Sequence, residues 1–196
     1  MVTGGSRGIG AAVALCLAEE GADTVLTYEN NAEHADAVAG RIRAAGRRGL
    51  ALRSDSALPG APAAAVEEAV AAFGRLDILV NNAAVFLVGP LEDWGAAEIE
   101  RTLAVNVRAP FTAARAAARH MGPGGRIISI GSNAAGRAPF PGLALYSMSK
   151  TALAGMTRRL AREPGRRGIT VNPVHPGPTD TDANPPTGRT PRRSRA

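Results

Sequence analysis

Apolar positions recur along the chain in two alternating kinds of run. Short, nearly continuous apolar stretches lie at residues 24–28, 50–52, 76–80, 126–130 and 169–174. Their length and their Ile and Val content predict strands covered on both faces. Between them, Ala- and Leu-rich segments with helical periodicity predict helices at 10–20, 32–45, 63–73, 98–120 and 147–163. Gly21 and Gly46 stand where the first two should stop, and Pro110 should bend or interrupt the fourth. Val2-Thr3, just before a run of glycines, reads as the end of a further strand. Strands alternating with helices of this length imply an α/β fold, a doubly wound parallel sheet. No internal repeat interrupts the pattern.

Composition narrows the organisation. With 196 residues, 45% of them hydrophobic, the chain is long enough for one sizeable core and short for two. We expect a single domain over 1–182 and a disordered basic tail over 183–196, where Pro, Arg and Thr replace apolar periodicity. The net charge of +6 invites a nucleic-acid partner, but Arg189, Arg192, Arg193 and Arg195 lie in that tail and without them the remainder is +2. The body has neither a basic stripe nor interleaved aromatics, so no nucleic-acid partner is expected. No apolar run is long enough to span a bilayer and no secretory leader opens the chain, which together predict no membrane association and a cytoplasmic protein. The lone cysteine, Cys16, has no partner for an internal disulfide. With Val13, Leu15 and Leu17 around it, it reads as a small core hydrophobe. His34, His120 and His175 are scattered and lack partners at ligand spacing, so no metal site is expected.

Two segments carry chemistry. Thr3-Gly4-Gly5-Ser6-Arg7-Gly8-Ile9-Gly10 sets three glycines in G-x-x-x-G-x-G spacing between a strand and a helix. There, backbone approaches a pyrophosphate closely and amides point outward at the helix N-terminus. In Tyr146-Ser147-Met148-Ser149-Lys150 the phenol and the ammonium are four residues apart, and so share a helix face. A positive charge beside a phenol favours the phenolate, which brings Tyr146 toward proton exchange near neutral pH. Lys150 is the single lysine in a chain that otherwise uses arginine. A slim ammonium can bridge a hydroxyl and a phenol where a planar guanidinium cannot.

The glycine turn and the Tyr146/Lys150 pair together resemble the short-chain dehydrogenase/reductase family, and within it the 3-oxoacyl-ACP-reductase-like members. The resemblance implies a Rossmann-like sheet and hydride transfer between a nicotinamide cofactor and a carbonyl or alcohol substrate. Tyr146 would be the acid/base, Lys150 would tune it and grip the ribose, Ser132 would polarise the substrate oxygen, and Asn106 would complete a proton relay. Asn133 and Ser129 are alternatives to Ser132. Cofactor contacts implied in the same way are Gly4, Ser6, Arg7, Gly8, Ile9 and Gly10 in the turn, and Asp55 at the adenine. They continue with Asn82, Ala83 and Ala84 in a segment similar to the family's N-N-A-G, and with Pro176, Gly177, Thr179 and Thr181 in one similar to P-G-x-x-x-T. Tyr28 stands where NAD-preferring members carry an Asp, and Arg7 is placed for a phosphate. Together these favour NADP(H) over NAD(H). Glu29 opposes that preference, since its carboxylate could reach a ribose 2′-hydroxyl.

The resemblance spans residues 2–182. Family members have more of the first strand before the turn and a helical lid and a last strand after Thr181, so the expectation is a chain truncated at both ends, with a frameshifted or early-terminated tail. An open substrate pocket and marginal stability would follow. The helices at 98–120 and 147–163 are those that family dimers pair, which offers a homodimer. Residues 140–146, 170–172 and 175–182 are also similar to a subgroup held to bind cyclic di-GMP. The alternative to an enzyme is therefore a nucleotide-binding protein without turnover.

Overall fold

In the computed structural model, which describes residues 1–138 and 140–185, strands and helices alternate as the hydrophobic pattern requires. In chain order they are α1 (Gly8–Glu19), β1 (Thr24–Tyr28), α2 (Ala32–Ala44), β2 (Gly49–Arg53), α3 (Ala61–Phe73) and β3 (Ile78–Asn81). Then follow α4 (Ala96–Leu103), α5 (Ala109–His120), β4 (Arg126–Ile130), α6 (Ala144–Leu160) and β5 (Thr170–Val174). Every strand pairing is parallel: β1 with β2, β3 with β4, and β4 with β5.

One residue joins the two groups of strands. Val2 bridges Leu26 on one side and Val80 on the other. Its amide donates to the Val25 carbonyl (2.8 Å), its carbonyl accepts from Thr27 (3.0 Å), and the neighbouring Thr3 amide donates to Val80 (2.9 Å). The order is thus β2, β1, Val2, β3, β4, β5, with the Val2 segment in the middle, as in dinucleotide-binding sheets. Neighbouring strand residues face opposite ways. Val25, Leu79, Ile127 and Val171 pack with Val66 and Ala69 of α3 and Ala113 and Ala117 of α5. Leu26, Val80 and Ile130 pack with Ala14 and Ala18 of α1 and Val38 and Ile42 of α2. Both faces are covered, which is why the strands read as continuous apolar runs.

Three expectations are corrected. The segment at 98–120 is not one bent helix: α4 and α5 are joined by a π-helical turn, Ala104–Arg108, in which the Ala109 amide reaches back to the Ala104 carbonyl. Pro110 lies in the first turn of α5 and has no amide to offer the carbonyl of Asn106 four residues earlier, so the ladder is broken at that point. The helix expected at 147–163 runs instead from Ala144 to Leu160, which places Tyr146 inside its first turn. Pro164 has no amide to offer the Leu160 carbonyl four residues earlier, which brings the end forward. Cys16 is exposed rather than in the core. The buried positions of α1 are Gly10, Ala14 and Ala18, and Cys16 lies on the opposite side of that stripe.

Asn184, within the segment expected to be tail, bonds to Thr181 through both backbone groups (3.2 and 2.9 Å). Residues 186–196, with the four arginines and the expected disorder, lie outside the described residues.

Candidate active site

The functional candidates gather at the C-terminal ends of the parallel strands, where an open α/β sheet holds its ligands. The glycine turn is built tightly enough that side chains would not fit. Gly4 and Gly8 have positive φ (63° and 54°), backbone that favours glycine. A Cβ on Gly10 would lie 2.3 Å from the Gly4 carbonyl oxygen and 2.4 Å from Asn82 Nδ2. Asn82 fastens the turn from the next strand, donating to the carbonyls of Thr3 (2.9 Å) and Gly4 (3.0 Å). Thr3 answers with its hydroxyl, which accepts from the amides of Asn82 (3.0 Å) and Ala83 (3.1 Å). Thr3 opens the fingerprint, but the sequence assigned it no contact of its own. Ala83 packs on Gly4 and Ala84 is exposed. Arg7, in extended backbone just before α1, is exposed, while Ser6 and Ile9 are half-buried. A bare-backbone turn of this kind at a helix start fits a dinucleotide pyrophosphate.

Tyr146, Lys150 and Ser132 come together beyond β4. The Tyr146 phenol hydrogen-bonds with the Ser132 hydroxyl, and burial pushes its pKa up, an effect that bond partly offsets. Phe86 holds the ring edge to face at 4.7 Å. Lys150 is 3% exposed and donates from Nζ to the Ile130 carbonyl at 2.7 Å. Burial lowers its pKa to about 8. The expectation that Lys150 draws the phenol toward ionisation is therefore corrected. The ammonium is committed to a main-chain carbonyl, 5.8 Å from the tyrosine ring centroid, and desolvation decides the direction of both shifts.

Asn106, from the π-helical turn, is buried and its side chain is fully used. Its Oδ1 accepts from the Val85 amide (2.8 Å), while Nδ2 donates to the Val85 carbonyl (2.9 Å) and to Ser149 Oγ (2.9 Å). Ser149 in turn donates to the Tyr146 carbonyl (2.7 Å). What Asn106 can offer to a relay is its main-chain carbonyl, which lacks an amide partner at Pro110. Ser132 caps the 3-10 turn Asn133–Ala135 by accepting from the Ala134 amide (3.1 Å). Its backbone is held by His175, whose Nδ1 lies 3.2 Å from the Ser132 amide and 3.0 Å from its carbonyl. The sequence placed His175 in the segment similar to the cyclic di-GMP-binding subgroup but gave it no part in holding Ser132. Of the alternatives to Ser132, Ser129 is buried within β4 and Asn133 is exposed.

The remaining candidates line the same edge. Asp55 is half-buried and accepts from the Ala57 amide at 2.8 Å. Tyr28 is half-buried at the end of β1. The next residue, Glu29, pairs with Arg101 of α4 at 2.9 Å. In the stretch after β5, Thr179 donates to the Gly177 carbonyl (3.1 Å), and Asn133 donates to that of Pro176 (3.1 Å). Thr181 lies against Gly8, its Cγ2 3.5 Å from where a Cβ would stand, so this stretch crosses the glycine turn. Among the described residues no group of three or more His, Cys, Asp or Glu gathers as a metal set. No described helix is long and apolar enough to cross a membrane.

Comparison with known proteins agrees with this geometry. A family model described as short chain dehydrogenase matches residues 1–191. The cyclic-di-GMP-binding biofilm dispersal mediator protein of Escherichia coli K12 is 44% identical over 188 residues, 96% of this chain and 76% of that protein. Versicolorin reductase 1 of Aspergillus parasiticus is 43% identical over 182 residues, 93% of this chain and 70% of that one. A short chain dehydrogenase from Burkholderia cenocepacia J2315, solved in complex with NADP, superposes with a TM-score of 0.94 at 57% identity, covering 96% of this chain and 77% of the other. The chain belongs to the short-chain dehydrogenase family, and is an NAD(P)-dependent oxidoreductase of that family.

Proposed function

We propose that the chain is an NADP(H)-linked carbonyl reductase in which Tyr146 is the proton donor. The observation that carries this reading is the hydrogen-bonded pair of Tyr146 and Ser132 beside a buried Lys150, at the sheet edge that the glycine turn also occupies. When bound, the reduced cofactor supplies the hydride. The protein's part is to hold the carbonyl and to deliver a proton to its oxygen. Ser132 and Tyr146 point hydroxyls at one place, so a carbonyl oxygen there accepts from both. The raised pKa keeps Tyr146 protonated at neutral pH, the form that reduction needs. Lys150, one helical turn further on and fixed by the Ile130 carbonyl, is the buried cation placed to grip the cofactor ribose. The Asn106 carbonyl, lacking an amide partner at Pro110, is free to hold a water that links Lys150 to solvent and so returns the proton.

NADP(H) is favoured over NAD(H) by Arg7 in the turn, by the absence of an Asp at Tyr28, and by the NADP bound to the Burkholderia cenocepacia relative. Asp55 at the adenine and the stretch from Pro176 to Thr181 over the nicotinamide complete the binding set. α5 and α6 present Phe111 and Met148 to solvent, 47% and 50% exposed, which suits a homodimer through these helices. The test is oxidation of NADPH against a panel of ketones and aldehydes, with Tyr146→Phe as control. Turnover that survives in that variant overturns the mechanism.

A second reading, cyclic di-GMP binding without turnover, is favoured by the name of the Escherichia coli relative. Parallel titrations with NADPH and cyclic di-GMP separate the two. Tight binding of cyclic di-GMP alone would replace the enzyme reading.

A further inference from the structure

We propose that Arg101 is a specificity-determining residue for the cofactor, acting through Glu29: the ion pair holds a carboxylate away from the ribose 2′ position, so that a 2′-phosphate is accepted there. The proposal rests on the NADP(H) reading above.

Glu29 is the first residue past β1, next to Tyr28, at the end of the strand where a free carboxylate selects against a 2′-phosphate. A carboxylate accepts from a 2′-hydroxyl and repels a phosphate dianion, so an unrestrained Glu29 would turn the site toward NADH. It is not unrestrained. Arg101 reaches across from α4, 72 residues further along the chain, and its NH2 group lies 2.9 Å from Glu29 Oε1. From β2, Arg53 donates to the Glu29 carbonyl at 3.3 Å and fixes the backbone of the same residue. Arg7, in the glycine turn, adds a third guanidinium at this end of the sheet. Glu29 is thus met by arginines from two separate elements, Arg53 at its carbonyl and Arg101 at its carboxylate. The side chains are 45% and 39% exposed, so the pair contributes little to folding and can be altered without unfolding the chain.

The experiment is a double-mutant cycle read by calorimetric binding of NADPH and of NADH, with melting temperature as the folding control. Arg101→Gln is expected to weaken NADPH at least tenfold and to leave NADH unchanged or tighter. Glu29→Gln is expected to tighten NADPH. The variant carrying both should bind NADPH as Glu29→Gln does, because Arg101 has nothing left to restrain. The proposal is overturned if Arg101→Gln leaves the NADPH to NADH ratio unchanged. It is also overturned if the loss persists in full in the double variant, which would mean that Arg101 meets the phosphate directly. If the unsubstituted chain itself prefers NADH, the NADP(H) reading fails first. Glu29→Gln should then weaken NADH, which distinguishes that failure from failure of the Arg101 assignment alone.

Discussion

Asn106 donates to the hydroxyl of Ser149 across 2.9 Å, and that hydroxyl donates in turn to the carbonyl of Tyr146 at 2.7 Å. A residue of the π-helical turn is thereby tied to the first turn of α6, which carries the phenol. Ser149→Ala removes the link and leaves one Asn106 N–H buried without a partner, at a cost of about 1–3 kcal/mol. The expected result is a destabilisation of that size in urea unfolding, together with a fall in kcat larger than any change in NADPH affinity.

Lys150 makes stability depend on pH. Its pKa is about 8 in the folded chain against 10.5 in the unfolded one, so over that interval the unfolded chain binds the proton more tightly. The cost of burying the charge is fully present below pH 8 and is relieved as pH rises toward 10.5. The gain over that window is roughly 3 kcal/mol at 1.36 kcal/mol per unit. Lys150→Met should flatten this part of the profile. Urea midpoints for both proteins at pH 7.5 and pH 10 check it. Equal slopes in the two proteins would contradict the assignment.

Gly10→Ala forces a methyl to within 2.3 Å of the Gly4 carbonyl oxygen and 2.4 Å of Asn82 Nδ2. Backbone must move, with a cost of about 1–3 kcal/mol typical of overpacking. Because the displaced groups form the glycine turn, NADPH affinity should fall with stability. Thermal melts with and without NADPH measure both, and the ligand-induced shift should shrink.

Cys16 is exposed on the outer side of α1 and is the only thiol in the chain. One equivalent of a disulfide reagent should react with the native protein, at a rate that denaturant changes little. A thiol that reacts only after unfolding would place Cys16 back in the core.

The strand positions were legible in the sequence because strands covered on both faces must be apolar throughout. The residues 24–28 and 126–130 match β1 and β4 at both ends. Tyr146 and Lys150 were legible because their spacing puts both on one helix face. The face of Cys16 was not, since α1 is apolar nearly all round and only packing decides which stripe turns inward. Nor was the direction of the Tyr146 shift. It is set by burial of the phenol, which packing between distant elements decides, while Lys150 turns to the Ile130 carbonyl twenty residues away. His175 and Arg101 were missed for a similar reason: each acts on a residue at least 43 positions distant, and no local pattern encodes such a contact.

The single-residue join at Val2 divides labour as well as the sheet. On one side of it lie Tyr28, Glu29 and Asp55, the ground for gripping the adenosine end of a dinucleotide. On the other lie Asn106, Ser132, Tyr146 and Lys150, where bonds would be made and broken. Under the proposed function, holding the ligand and transforming it fall to two half-sheets whose mutual alignment passes through Val2 and the backbone bonds around it. A slip of that joint would let the protein keep its grip on the cofactor while the reacting carbon drifted out of reach.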